Sequence, residues 1–206
     1  RPSEGEGDHR SATCPLRESW RAVPKRIPGI PEMEKYELKP LLGQDQIRRR
    51  VKELAKQISR DYRGKEILFI CILKGAFVFL SDLMRHIDLP VQVDFVGLAS
   101  YGAEMVSSGQ IAVTHQNSIP IEGKDVIIVE DIIDSGRTLK FLADELRSRK
   151  PRSLRICCLL DKKSRRQVEF HADYVGFDIE DLFVVGYGID VNEQFRNLSS
   201  VHYVVE

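Results

Sequence analysis

Fourteen consecutive residues, Val126-Ile127-Ile128-Val129-Glu130-Asp131-Ile132-Ile133-Asp134-Ser135-Gly136-Arg137-Thr138-Leu139, restrict the fold more than any other part of the chain. Four apolar β-formers open the stretch and read as a buried strand, while Leu139, Leu142, Ala143 and Leu146 have the spacing of a helix. The loop lies between them, as it would in a parallel α/β sheet. In such a sheet Asp134 to Thr138 lie beyond the carboxyl end of a strand and at a helix N-terminus, where backbone N–H groups and the helix dipole favour a phosphate. Ser135 and Thr138 add hydroxyl donors, and Gly136 removes a Cβ that would block close approach.

The rest of the chain repeats this alternation. Ile47, Val51, Leu54, Ala55 and Ile58 define one apolar face of a helix, with Arg48-Arg49-Arg50 facing mostly away as a solvated surface. Ile67 to Leu73 is a continuous apolar run, read as a buried strand, and Lys74-Gly75 ends it and opens an apolar helix that continues to about His86. Val91, Val93 and Phe95 begin a strand that reaches Ala99. Ile111 and Val113 together with Ile119 and Ile121 look like a hairpin carrying the polar, glycine-containing segment from Ser100 and Tyr101 to Gly109. A segment of that length inside a compact domain is usually a lid, a binding loop or disorder. Leu154 to Leu160, Asp173 to Phe177, Leu182 to Tyr187 and Val201 to Val205 supply further strand-like pieces. The expected architecture is α/β, a mainly parallel twisted sheet flanked by helices.

Composition removes several classes of function. Lys and Arg number 31, as do Asp and Glu, so no net field gathers nucleic acid or an anionic membrane. No run approaches the ~18 apolar residues of a membrane span, which points to a cytoplasmic protein. Three of the four cysteines, Cys71, Cys157 and Cys158, sit in apolar strand-like runs without CxxC spacing, and read as reduced core thiols. Residues 1–35 mix Gly, Ser, Pro, Glu and Arg without periodicity and are expected to form a loosely ordered extension, with the folded domain over 36–206. There is no GxxxxGK[ST] and no GxGxxG, so neither nucleoside triphosphate nor dinucleotide loops explain the phosphate cradle.

Strand ends then collect Lys74, Glu130, Asp131, Asp134, Lys162 and Asp190 on what should be one edge of the sheet. Adjacent carboxylates beside a phosphate cradle suit a sugar phosphate with Mg²⁺, because carboxylates accept from ribose hydroxyls or hold the hydrated ion. Two acids before Asp-Ser-Gly-x-Thr closely resemble the signature of the type I phosphoribosyltransferases. Leu73-Lys74-Gly75, Ser100-Tyr101-Gly102, Leu160-Asp161-Lys162 and Phe183-Val184-Val185-Gly186-Tyr187-Gly188-Ile189-Asp190 with Phe195-Arg196 extend the likeness to the hypoxanthine-guanine branch of that family, from about Tyr36 to Glu206.

The resemblance implies the type I phosphoribosyltransferase fold with a small hood formed by the chain termini. It also implies transfer of the 5-phosphoribosyl group from 5-phosphoribosyl 1-diphosphate to a 6-oxopurine, with Mg²⁺ as cofactor and nucleoside monophosphate and pyrophosphate as products. Glu130 and Asp131 would meet the ribose hydroxyls and, with Asp190, the metal. Ser135, Gly136, Arg137 and Thr138 would cradle the 5′-phosphate, and Asp134 would take the purine proton. Lys162 would donate to O6, Phe183 would stack on the ring, and the Val184 backbone would read the base edge. Lys74, Gly75 and Arg196 would contact pyrophosphate, through a Lys-Gly bond that is often cis in the family, while Ser100 and Tyr101 belong to the lid. A homodimer or homotetramer is implied as well. Without the family likeness, Phe183 reads as a core aromatic and Lys162 as a surface charge.

Overall fold

The protein is described by a computed structural model over residues 37–100 and 111–205. The extension before Glu37 and the segment from Tyr101 to Gln110 lie outside the described residues. In chain order the elements are β1 (Glu37–Leu42), α1 (Gln44–Asp61), β2 (Ile67–Leu73), α2 (Phe77–Met84), β3 (Val91–Ser100), β4 (Ile111–His115) and β5 (Asp125–Ile133). They continue with α3 (Arg137–Ser148), β6 (Ser153–Asp161), β7 (Tyr174–Asp178), β8 (Val184–Val185) and β9 (Val201–Val205).

Six strands form the main sheet in the order β4-β3-β2-β5-β6-β7, parallel except for the β3–β4 pair. The unbroken apolar runs in β2 and β5 follow from burial on both faces. Ile67, Phe69 and Cys71 pack with α1 and α2, whereas Leu68, Ile70 and Ile72 pack with the α3 side. Helix α1 buries Ile47, Val51, Leu54, Ala55 and Ile58 on one stripe, and Gln46 accepts the Gly43 N–H at 2.8 Å to close its first turn. Each large apolar side chain removed from water there contributes roughly 1.5–3 kcal/mol, so a charge at Leu54 is the kind of single change that would separate helix from sheet.

Parallel pairing sets the functional edge. Cys71 is opposite Val129, and Ile133 is opposite Asp161, so β2, β5 and β6 finish side by side and release Lys74, Asp134 and Lys162 at the same end of the sheet. The chain's terminal segments build a second, antiparallel sheet, β1-β9-β8, in which Leu38 meets Val204 and Val184 meets Tyr203. This is the expected hood. Its Val184 and Val201 are buried in the same core as α1 and α2.

Several expectations about elements change. The hairpin is β3 with β4, Ser100 facing Ile111; Ile119 and Ile121 are not in a strand. The reason is Asp94, a buried carboxylate that accepts the N–H groups of Ser118 and Ile119 at 2.7 Å each, which withdraws them from any ladder, while Pro120 has no N–H to give. β5 runs four residues past Val129, carrying Glu130 and Asp131 within the strand. Helix α2 is shorter than the apolar pattern suggested and starts at Phe77, because Lys74 to Ala76 form the turn that leaves β2. Arg50 is not simply solvated: its guanidinium donates to the carbonyls of Val175 and Gly176 at 2.7 and 2.8 Å, tying α1 to β7.

Candidate active site

The two acids at the end of β5 serve different sides of the strand. Glu130 lines a cavity of about 200 Å³ together with Asp134, Ser135, Gly136 and Thr138. Asp131 is buried and leans on Gly75, where a Cβ would overlap its carboxylate. Local backbone groups orient both: Asp131 N–H donates to Glu130 Oε1 at 3.1 Å, and Ile132 N–H to Asp131 Oδ1 at 2.8 Å. Burial, reinforced by the neighbouring Asp131 carboxylate, pushes the Glu130 carboxyl well above the ordinary carboxylate range. A cation or a set of hydroxyl donors arriving there relieves that cost.

Beyond Ile133 the loop is held from one side. Lys162 N–H donates to the Ile133 carbonyl at 2.9 Å, Arg166 to the Asp134 carbonyl at 2.7 Å, and Gln167 N–H to the Ser135 carbonyl at 3.0 Å. Arg166 is also paired with the buried Asp161. Gly136 has φ +79°, a left-handed conformation that favours glycine, and precedes the first turn of α3. Carbonyls are thus turned toward residues 162–167, and the N-terminal N–H groups of α3 border the cavity. Thr138 is half-buried and Arg137 exposed; Ser135 Oγ accepts the Arg137 N–H at 3.4 Å.

Lys162, which directly follows β6, is buried. Its Nζ is 4.0 Å from Asp134 Oδ2 and 3.9 Å from Asp181 Oδ1. Arg165 makes the same two bridges from the surface, 3.3 Å to Asp134 and 3.6 Å to Asp181. Phe183 is 54% exposed, the most exposed of the large apolar side chains described, so it is not a core aromatic. Its carbonyl accepts the Val204 N–H at 2.8 Å, and Val184 is buried in β8.

The third cluster lies around the end of β2. Lys74 Nζ is 2.8 Å from Glu193 Oε1, and Arg196 Nη2 reaches Glu193 Oε2 at 3.0 Å and Asp190 Oδ1 at 2.8 Å. Lys74, followed by Arg196, holds the Glu193 carboxyl below its usual range. The cis bond stands one peptide earlier than the resemblance implied, between Leu73 and Lys74. Gly188 packs so closely that a Cβ there would overlap the Gly75 carbonyl. Ser100 ends β3, and Tyr101 lies outside the described residues.

Four contributors escaped the sequence reading: Arg165, Arg166, Asp181 and Glu193. The double arginine four residues after Asp161 was the available signal for the first two. The largest cavity described, about 720 Å³ between α1, α2 and the 187–199 segment, touches Arg196 but none of the strand-end acids.

A mainly parallel sheet here gathers an acid pair, the glycine-containing loop before α3 and two lysines at one edge, the place where α/β folds hold ligands. The chain belongs to the phosphoribosyl transferase domain family, which matches residues 41–192. Among its relatives is the hypoxanthine-guanine phosphoribosyltransferase of Aquifex aeolicus, 48% identical over 174 residues, a match covering 84% of this chain and 98% of the relative. A crystal structure of a hypoxanthine-guanine phosphoribosyltransferase from Bacillus anthracis, with a HEPES molecule in its active site, superimposes with a TM-score of 0.79 at 49% identity, covering 82% of this chain and 100% of that one. A mutant hypoxanthine phosphoribosyltransferase from Trypanosoma cruzi, solved as a ternary substrates complex, is 38% identical with a TM-score of 0.77, over 84% of this chain and 97% of its own.

Proposed function

We propose that this protein is a purine salvage enzyme that transfers the 5-phosphoribosyl group of 5-phosphoribosyl 1-diphosphate to N9 of hypoxanthine or guanine, giving IMP or GMP and pyrophosphate. The observation that carries the reading is the shared edge of β2, β5 and β6, where Lys74, Asp134 and Lys162 emerge together in a chain of this family.

The ribose 5′-phosphate binds the loop from Ser135 to Thr138, on N–H groups at the start of α3 and the hydroxyls of Ser135 and Thr138. Glu130 and Asp131 accept from the ribose hydroxyls and fix the sugar over the strand end. The purine stacks on the exposed Phe183 ring, with its O6 toward the Lys162 ammonium and its outer edge against the Val184 backbone. Asp134 accepts the proton that the purine loses as its nitrogen attacks C1′.

Departure of pyrophosphate leaves positive charge on the ribose and negative charge on the leaving group. Lys74 and Arg196 meet that negative charge where it develops. Mg²⁺ is an ion commonly held by one or two carboxylates plus substrate phosphates; among the described residues no three His, Cys, Asp or Glu side chains form a ready metal cage. Glu130, Asp131 and Asp190 are the hard oxygen donors that would hold the ion, and it would supply charge neutralisation for the diphosphate. A cationic sugar is easily captured by water, so the reaction needs a lid, a role that the family likeness gives to Ser100 and Tyr101. Assembly as a homodimer or homotetramer is part of this reading, on the strength of the family likeness.

Lys162 is a donor only, so a 6-oxo group satisfies it and the 6-amino group of adenine does not. The test is incubation with Mg²⁺, 5-phosphoribosyl 1-diphosphate and each of hypoxanthine, guanine and adenine, with products separated by chromatography. Monophosphates of the first two and none from adenine is the expected result; no nucleotide from either oxopurine overturns the proposal.

A further inference from the structure

The pyrophosphate end of the site contains one charge for which the reaction above has no use. Lys74 and Arg196 converge on a single carboxylate, that of Glu193, and each cation takes a different oxygen, at 2.8 and 3.0 Å. Two oxygens of a phosphoryl group would be shared between the same cations in the same way. The carboxylate is aimed by a built turn. Asp190 Oδ2 accepts the Glu193 N–H at 2.8 Å, and Arg196 is itself anchored by Nη1 on the Gly188 carbonyl at 2.8 Å. Asn192 and Glu193 have φ of +51° and +62°, left-handed backbone that such residues adopt infrequently.

Stability gives little reason for the arrangement. The Lys74 and Glu193 side chains are 65% and 63% exposed, and exposed ion pairs contribute little to folding. Charge gives a better one: Lys74 and Arg196 face Glu193 and Asp190, two cations against two carboxylates. Neutralising Glu193 leaves the cluster one positive charge in excess.

We propose that Glu193 is an internal competitor for the pyrophosphate subsite, a carboxylate that occupies the Lys74–Arg196 pair and must be displaced by the diphosphate of the substrate or by free pyrophosphate. The inference rests on the function proposed above. Because Glu193 returns to the same cations as pyrophosphate departs, it weakens retention of that product. The sign of its effect separates competition from simple positioning: a residue that only orders Lys74 and Arg196 would weaken pyrophosphate binding when removed, whereas a competitor strengthens it.

The experiment titrates inorganic pyrophosphate with Mg²⁺ into the full-length native protein, Glu193→Gln and Glu193→Asp, with heat as the readout. Steady-state kinetics are measured on the same preparations, and thermal melting checks that each is folded. Glu193→Gln should bind pyrophosphate about two- to fivefold more tightly, the size expected for an exposed ion pair. Its KM for 5-phosphoribosyl 1-diphosphate should fall by a similar factor while the KM for the purine holds. Glu193→Asp, which keeps the charge, should stay near the native protein. Native protein that turns over while Glu193→Gln binds pyrophosphate equally or more weakly overturns the competitor role. Native protein that neither binds pyrophosphate nor forms nucleotide overturns the functional reading itself, and the inference falls with it.

Discussion

Gly75 lies against Asp131 so closely that a methyl group on the glycine would overlap the aspartate carboxylate. The turn leaving β2 and the Asp131 acid within β5 are therefore one fitted unit, which Gly188 also closes by packing against the Gly75 carbonyl. Gly75→Ala should displace Asp131 and lower kcat/KM at least ~100-fold, the penalty expected for misplacing a group that orients substrate. Overpacking should cost about 1–3 kcal/mol in chemical denaturation. Activity within a few-fold of native would show that Asp131 does not need this contact.

Lys162 is buried between Asp134 and Asp181, and its proposed partner is the purine O6. Lys162→Ala should raise the KM for hypoxanthine and guanine far more than the KM for 5-phosphoribosyl 1-diphosphate, and should cost about tenfold to a hundredfold in kcat/KM for the base. Equal losses for both substrates in steady-state kinetics would remove Lys162 from base recognition.

Two buried carboxylates outside the site should govern acid stability. Burial opposes ionisation of Asp94, but the N–H groups of Ile119, Phe95 and Ser118 outweigh it and hold its carboxyl below the ordinary range. Burial likewise opposes ionisation of Asp125, and hydrogen bonds from Arg152 and Ser153 overcome it. Groups depressed in the folded state stabilise it above the unfolded carboxylate pKa of about 3.9 and lose that contribution as pH falls through the lower folded values. Unfolding midpoints should drop below about pH 4, and Asp94→Asn should lower stability at neutral pH while flattening that acid limb. An acid limb of unchanged steepness in the variant would contradict the assignment.

The three thiols among the described residues should be inert in the folded protein. Burial, with the Glu130 and Asp131 carboxylates nearby, pushes the Cys71 thiol up to about 12. Burial also raises Cys157 and Cys158. At pH 8 a thiol reagent followed by peptide mass spectrometry should leave all three unmodified, and denaturant should expose them together. Labelling of Cys71 in active protein would mean that the β2 end opens far more readily than its packing implies.

What was readable in the residues divides along a physical line. Runs such as Ile67 to Leu73 and the α1 stripe declare themselves because burial on two faces or one leaves a period in the chain. The strand-end acids were legible because polar residues interrupt such a run at a place where α/β sheets hold ligands. The hairpin partner of β3 was not, since the apolar Ile119 and Ile121 sit in coil where Asp94 takes the N–H groups of Ser118 and Ile119, contacts across 24 and 25 residues. Glu193 and Arg165 carried no period at all; they are exposed charges whose meaning comes from Lys74, Arg196 and Asp134, residues that only the folded chain brings near. The exposure of Phe183, likewise, depends on its place at the rim of the hood.

The most direct test concerns Asp134, on which the division of labour along β5 depends. Kinetics and equilibrium binding should be measured for Asp134→Asn beside the native protein, with Mg²⁺, 5-phosphoribosyl 1-diphosphate and hypoxanthine. A fall of ~10²–10⁴ in kcat, with 5-phosphoribosyl 1-diphosphate binding retained within a few-fold, is the result expected for loss of a proton acceptor beside an intact phosphate cradle. An unchanged kcat, or loss of sugar-phosphate binding in step with activity, would contradict it.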